Sequence, residues 1–335
     1  MQNQQIHTPL QETQPLVSFI IACYNLPMQM LCECINSILA LSLSPAEREI
    51  IIIDDGSETS PINSLTQYGD DIIYVRQHHA GVSVARNRGL QMAIGRYIQM
   101  IDGDDCLLKA PYDHCLDLVR NSQQQIDVIM FDFTKTLPTK DKESFNDSPL
   151  ASGSEYMSNH SIHGTACGCL FRQAVRSELE FTPGIEYGED EEFTAQLMIR
   201  AEVVCVTDAQ AYFYRQHKAS TVHQLDDSKK TKRLNDSLEV IVKLHLLEDR
   251  MPHNDRLALQ RRVAQLTMDY IYNTIMLTHS RKALDCCLKE LHQQGLFPLP
   301  DRNYTQKYKW FRRMSNSALG RTILLNTLPL MKKER

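Results

Sequence analysis

Between residues 16 and 101 the chain alternates short apolar runs with longer amphipathic ones, and that rhythm limits what it can fold into. The runs are "LVSFIIA", "EIIIID", "DIIYVR" and "RYIQMI"; residues 28–41, 61–68 and 81–94 lie between them with helical spacing of their apolar positions. Strands separated by helices predict βαβ units on a mostly parallel sheet. Ligands of such sheets bind outside the carboxyl ends of the strands. Three of these strands end in chemically loaded text, "CYN" at 23–25, "DDGS" at 54–57 and "DGDD" at 102–105, and the three ends are expected to converge on one crevice.

Farther on, "DVIMFDF" (127–133) reads as another strand, and residues 134–154, with Pro138, Pro149 and Gly153, as a long surface excursion that marks a boundary. Residues 167–175 and 188–201 read as helical or strand-helix pieces, "VVCVT" and "AYFYRQH" as two strands that complete the sheet. Beyond Asp226 the apolar positions Leu234, Leu238, Ile241 and Val242, then residues 257–276 and 283–291, follow a helical period. The expected architecture is an α/β domain over 16–225, preceded by a 1–15 extension and followed by a helical appendage over 226–335.

Composition narrows the function. The 335 residues carry a net charge of -5 spread over both signs, so no global field points to nucleic acid. The ten cysteines show no C-x-x-C spacing, and the N-terminus lacks a basic stretch followed by an apolar one. Reduced thiols and a cytoplasmic location are expected. No apolar run reaches the length of a membrane span.

The chemistry concentrates in the acidic turns. Asp102, Asp104 and Asp105 at one strand end store like-charge repulsion unless a cation joins them. Mg²⁺ or Mn²⁺ takes one or two carboxylates and fills its shell with water and phosphate, which suits such a turn. A solvated acidic turn before a helix near Ala110 is the alternative. Asp55 is placed to accept a hydrogen bond from a nucleobase, with Ser57 capping the helix that follows, or Asp54 and Asp55 only shape a turn. On the helix of "HAGVSVARNRGLQMAIG", Arg86 offers a planar donor fork for phosphate oxygens or an ordinary ion pair. Neither G-x-G-x-x-G nor a P-loop is present.

Taken in order, "VSFIIACYN", "IIIDDGS", "GVSVARNRGL" and "YIQMIDGDD" resemble the nucleotide-sugar-binding half of the family 2 glycosyltransferases, of GT-A fold. With "GEDEEF" and "YFYRQHKAST" the resemblance covers residues 16 to 225. It implies a donor half over 16–133 and an acceptor half over 155–225. It also implies a nucleoside-diphosphate sugar, a UDP-sugar first, as donor, and a divalent cation. Tyr24 and Asp55 would then face the base, Arg86 the base or diphosphate, Asp102 the ribose or sugar, and Asp104 the metal. Asp190 resembles the general base of an inverting displacement, with Glu189 second; Arg215 would contact phosphate and His217 complete the metal shell.

Helix-terminal acids also simply favour a helix dipole. The segment "HGTACGCLFRQAV", where the family places acceptor contacts, has small residues and Cys167 and Cys169 in place of an aromatic one. The acceptor implied is a saccharide or lipid-linked hydroxyl, in bacterial surface-polysaccharide assembly. Residues 302–335 hold nine Lys or Arg against one Glu, interleaved with Trp310, Phe311, Ile323 and Leu324, which suits either contact with anionic lipid at the inner face of the membrane or packing on the chain's own domain. Rival readings are a sugar nucleotidylyltransferase, which would show a glycine-rich basic loop where "CYNLPMQ" stands, and a catalytically silent carbohydrate-binding protein.

Overall fold

A computed structural model describes residues 14–138, 144–216 and 226–331. Eight strands form one sheet: β1 (Val17–Cys23), β2 (Arg48–Asp54), β3 (Ile73–Arg76), β4 (Tyr97–Asp102), β5 (Cys106–Leu107), β6 (Val128–Thr134), β7 (Cys169–Arg172) and β8 (Val204–Phe213). Their order is β3-β2-β1-β4-β7-β6-β8-β5. Neighbours pair in parallel from β3 through β4 and again between β6 and β8, while β7 runs antiparallel to both β4 and β6. Two reversals across β7 restore direction. The carboxyl ends of β2, β1, β4, β6 and β8 therefore lie along one edge.

Burial explains the central strands. β1 and β2 are covered on both faces, and Phe19, Ile21, Ile51 and Ile52 are fully buried; each contributes roughly 1.5–3 kcal/mol. The helix Met28–Leu39 covers them with Leu31, Cys34, Ile35 and Ile38, which share one face. The helix Val82–Met92 lies close on β1 because Gly89 has no side chain; a Cβ there would run into Ile20 Cγ2.

Three local expectations are corrected. The runs "VVCVT" and "AYFY" belong to one strand, β8 (Val204–Phe213), in whose middle the pairing with β6 shifts register around Asp208, whose carboxylate accepts from Asn146. The described part of the 134–154 excursion is tied to β8 by bridges at Asp147–Thr207 and Ala151–Val204. Ser57 caps no helix: the short helix Ile62–Leu65 follows Pro61, and the Ser57 hydroxyl accepts instead from the Asn25 N–H.

A second apolar cluster belongs to the C-terminal helices Asp227–Leu247, His253–Thr278, Arg281–Gln293, Gln306–Asn316 and Ala318–Met331, and includes Leu244, Leu259, Ile271, Leu284, Leu291 and Leu324. Ile185 and Ala195 join it from the sheet side, so the helix Glu189–Arg200 lies between the two cores. No helix among the described residues is long and apolar enough to cross a membrane.

Candidate active site

The acidic turn starts where β4 stops. Gly103 donates to the Ala22 carbonyl at 3.2 Å, and the Asp105 N–H closes the turn onto the Asp102 carbonyl at 3.0 Å. A Cβ on Gly103 would press on Leu26 Cδ1 at 2.7 Å, so the turn needs a glycine there. The aspartates then meet different surroundings. Asp102 keeps its carboxylate 39% exposed. Asp105 is buried, accepting from the Tyr212 hydroxyl at 2.8 Å and from the Arg215 N–H at 2.8 Å. Burial, with added repulsion from Asp102, pushes its carboxyl up to about 8. The Arg215 guanidinium holds the turn from outside, donating to the Asp104 carbonyl at 2.9 Å and to Glu33 at 2.5 Å.

Arg86 joins this turn to the acidic helix start. From the buried face of the helix Val82–Met92, its Nη2 donates to Asp102 Oδ1 at 2.9 Å; its Nη1 donates to Asp190 Oδ1 at 2.6 Å and to Glu189 Oε1 at 3.1 Å. The Phe181 ring lies 5.2 Å away. Burial opposes the charge on Arg86, but Asp190 and Asp102 outweigh it and hold the guanidinium firmly protonated. Burial raises the Asp190 carboxyl, while Arg86 pulls it back down. Glu189 is raised by burial and by Asp190. The second Asp190 oxygen faces the Thr165 hydroxyl at 3.5 Å.

The remaining acids of that helix diverge, as helical geometry requires. Glu191 pairs with Arg262, and Glu192 accepts from Thr182. Gly188, at φ 93° in the left-handed region, lets the chain enter the helix at this angle. A cavity of about 360 Å³ opens here between Asp190 and Glu191 on one wall and Arg233, Asp269 and Tyr270 of the C-terminal helices on the other.

At the other end of the crevice Tyr24 is 43% exposed and stacks on His79, with ring centroids 4.1 Å apart and planes at 17°. His79 Nδ1 lies 2.8 Å from Asp55 Oδ2. Asp55 is buried and accepts from the Gln77 amide and from the N–H groups of Ala80 and Gly81, so it organises the loop 77–81. Asp54 does similar work for its own turn through the Ser57 N–H and the Tyr74 hydroxyl.

The fold thus brings Arg86, Asp102, Glu189 and Asp190 into direct contact, sets Asp104, Asp105 and Arg215 beside them, and leaves Tyr24 and Asp55 at the ends of β1 and β2. His217 lies outside the described residues. Three partners had no sequence signal of their own: Glu33, Thr165 and Arg262 act only because distant segments meet. His79 did carry one, a polar residue just beyond a strand end.

Among the described residues no group of three or more His, Cys, Asp or Glu side chains is placed to hold a metal ion. The two-carboxylate turn nevertheless fits a hard cation of the kind that shares its shell with phosphate and water.

Comparisons with known proteins agree with this geometry. The Glycosyl transferase family 2 profile matches residues 18–178. The glycosyltransferase EpsJ of Bacillus subtilis is 28% identical over 222 residues, 62% of this chain and 62% of EpsJ. The minor teichoic acid biosynthesis protein GgaB of the same organism is 25% identical over 206 residues, 59% of this chain and 23% of GgaB. The matches therefore span less than two thirds of these relatives. Among solved structures, S. aureus TarS 1-349 in complex with UDP-GlcNAc superposes with a TM-score of 0.68 at 15% identity, over 95% of this chain and 91% of that one. The mannosyltransferase PcManGT from Pyrobaculum calidifontis, in complex with GDP-Man and Mn²⁺, gives 0.57 at 12% identity, over 96% of this chain and 89% of that one. The architecture is GT-A, a mostly parallel eight-stranded sheet with C-terminal helices. Residues 18–178 thus match glycosyl transferase family 2, and the chain is similar to glycosyltransferases over about three fifths of its length.

Proposed function

We propose that this chain transfers a sugar from a nucleoside-diphosphate sugar, a UDP-sugar first, to the hydroxyl of a saccharide or lipid-linked acceptor, with inversion at the anomeric carbon. The observation that carries the reading is the Arg86 node, which joins the strand-end carboxylate Asp102 to Asp190 and Glu189 in a single site. The relatives support it: TarS has been solved with UDP-GlcNAc and with UDP.

In this reading Tyr24 and the loop shaped by Asp55 border the base, and Asp102 meets the ribose or sugar. Asp104 would hold a Mg²⁺ or Mn²⁺ ion that neutralises charge on the departing diphosphate. Arg215, fixed against Glu33, keeps the turn in place and borders the phosphates. Asp190 takes the proton of the attacking hydroxyl on Oδ2, the oxygen that Arg86 does not hold and to which the Thr165 hydroxyl donates at 3.5 Å; Glu189 stands second. Burial raises the Asp190 carboxyl and so makes it a better base, while Arg86 opposes the rise.

The test is calorimetric binding of UDP, GDP, CDP and dTDP, each with Mn²⁺ and with chelator, to the wild type and to Asp104→Asn. Metal-dependent binding of one nucleotide, weakened at least about tenfold (about 1.4 kcal/mol) by the substitution, is expected. Equal affinity in the variant removes Asp104 from the metal site, and no binding by the folded wild type defeats the donor reading.

The C-terminal helices add a surface. Phe311 and Leu324 are buried in the second core, while Trp310, Leu319, Ile323 and Leu330 stay exposed near Lys309 and Arg313. Exposed apolar side chains interspersed with basic ones favour contact with an anionic membrane. The double substitution Trp310→Ala and Leu319→Ser should reduce co-sedimentation with phosphatidylglycerol vesicles and leave thermal unfolding unchanged.

A further inference from the structure

The carboxyl-end edge of the sheet continues past the acidic turn. Beyond β4 and the start of β7 come the ends of β6 and β8, where Phe133 pairs in register with Tyr212. There Phe133, Tyr212 and Tyr214 surround a cavity of about 240 Å³ floored by Thr165 and Cys167, with Lys135 at its margin. Its described lining has no carboxylate, unlike everything else along this edge. Phe133 is 41% exposed. Its ring meets Tyr214 at 6.4 Å and 73° and His163 at 6.2 Å and 82°, so neither neighbour stacks on it face to face.

Two walls tie this cavity to the chemistry. The Tyr212 hydroxyl accepts the Asp102 N–H at 3.1 Å and donates to Asp105. The Thr165 hydroxyl donates to the second oxygen of Asp190 at 3.5 Å. The cavity thus borders the acidic turn through Tyr212 and Asp190 through Thr165, whereas the cavity of about 360 Å³ is lined by Asp190 itself and by no residue of the turn. An in-line displacement needs the attacking oxygen opposite the leaving diphosphate. With the nucleoside at β1 and β2 and the diphosphate at β4, the position opposite the leaving group lies toward β6 and β8.

We propose that the exposed face of Phe133 is the platform on which the acceptor's sugar ring lies, its apolar C–H face against that ring and its hydroxyl turned to Asp190. Tyr214, with the Lys135 ammonium over its own face, bounds the platform edge-on. This rests on the glycosyltransferase reading. Flat aromatic area with few polar groups is the lining that orients a ring by one face and leaves its hydroxyls free.

The experiment measures saturation-transfer NMR of the methyl glycosides of glucose, galactose, N-acetylglucosamine and rhamnose on the full chain with UDP and Mn²⁺. It compares wild type, Phe133→Ala, Tyr214→Ala and Phe133→Trp, with nucleotide affinity followed separately by calorimetry. At least one glycoside should bind the wild type, weaken about tenfold in both alanine variants and recover in Phe133→Trp, while nucleotide affinity stays constant. Phe133→Leu, which keeps apolar bulk without a flat face, replaces Phe133→Ala if that variant fails to unfold cooperatively. Three results overturn the proposal: no glycoside binding by the wild type, glycoside binding indifferent to both alanines, or nucleotide affinity falling in parallel, which would make the platform part of the donor site. Absence of nucleotide binding by the wild type shows separately that the donor reading has failed, and the acceptor assignment falls with it.

Discussion

The two acidic stretches of the site, 102–105 at a strand end and 189–192 at a helix start, hold similar charge and dispose of it differently. At the helix start guanidinium groups reach the carboxylates: Arg86 serves Glu189 and Asp190, and Arg262 serves Glu191. The helix N-terminus adds its own positive end. In the turn, Asp102 only shares Arg86, and Asp105 is held by a hydroxyl and a main-chain N–H. Repulsion from Asp102 and Asp104 adds to burial in raising Asp105. Both stretches retain stress, since burial with repulsion from Asp190 pushes Glu189 up to about 8 just as burial with repulsion from Asp102 pushes Asp105. The difference is that the helix start answers with guanidinium groups and the turn with a hydroxyl and a main-chain N–H.

Removing the shared guanidinium should do the most damage. Arg86→Ala leaves three carboxylates facing one another in a largely buried space, and a loss of about 3–5 kcal/mol in urea-unfolding stability is expected. Near-native stability would mean that the two stretches are independent. Asp190→Asn is expected to lower transfer roughly 10²- to 10⁴-fold while nucleotide binding persists. Full activity in that variant would move the base to Glu189 or elsewhere.

The remaining effect concerns pH. Asp105 binds its proton more tightly in the folded chain than in the unfolded one, so its contribution to stability is complete below about pH 4 and is lost as pH rises toward 8. With chelator present, wild-type stability should decline across that window by at most about 1.4 kcal/mol per pH unit. Asp105→Asn should flatten the decline; an equally steep profile in the variant would show that the turn carries no such stress.

Much of this was legible along the chain, and the reasons for the remainder are physical. β1, β2 and β4 announced themselves because covered strands must be apolar, and their polar ends located the crevice. The helix over residues 82–92 was legible from its spacing, but not the destination of Arg86, since its carboxylate partners stand 103 and 104 residues away. β5 is two residues long, too short for any periodicity. The aromatic cavity escaped notice for a related reason. Its rings come from β6 and from β8 and the residue after it, while the segment 163–175 supplies only the small residues of the floor and His163 at the side.

The interleaving of the sheet also bears on how such enzymes can be recombined. β5 leaves the N-terminal part of the sheet to pair at the far edge with β8, and Arg86 reaches from that part to carboxylates at 189 and 190. A chimera joined near residue 133 would therefore need Arg86, Asp102, Glu189 and Asp190 imported as a matched set, together with a β8 end that accepts the foreign β5. A junction after the last strand, before the helix Asp227–Leu247, spares both locks but parts Glu191 from Arg262 and Arg261 from the Met157 and His160 carbonyls, so those pairs would have to be matched there.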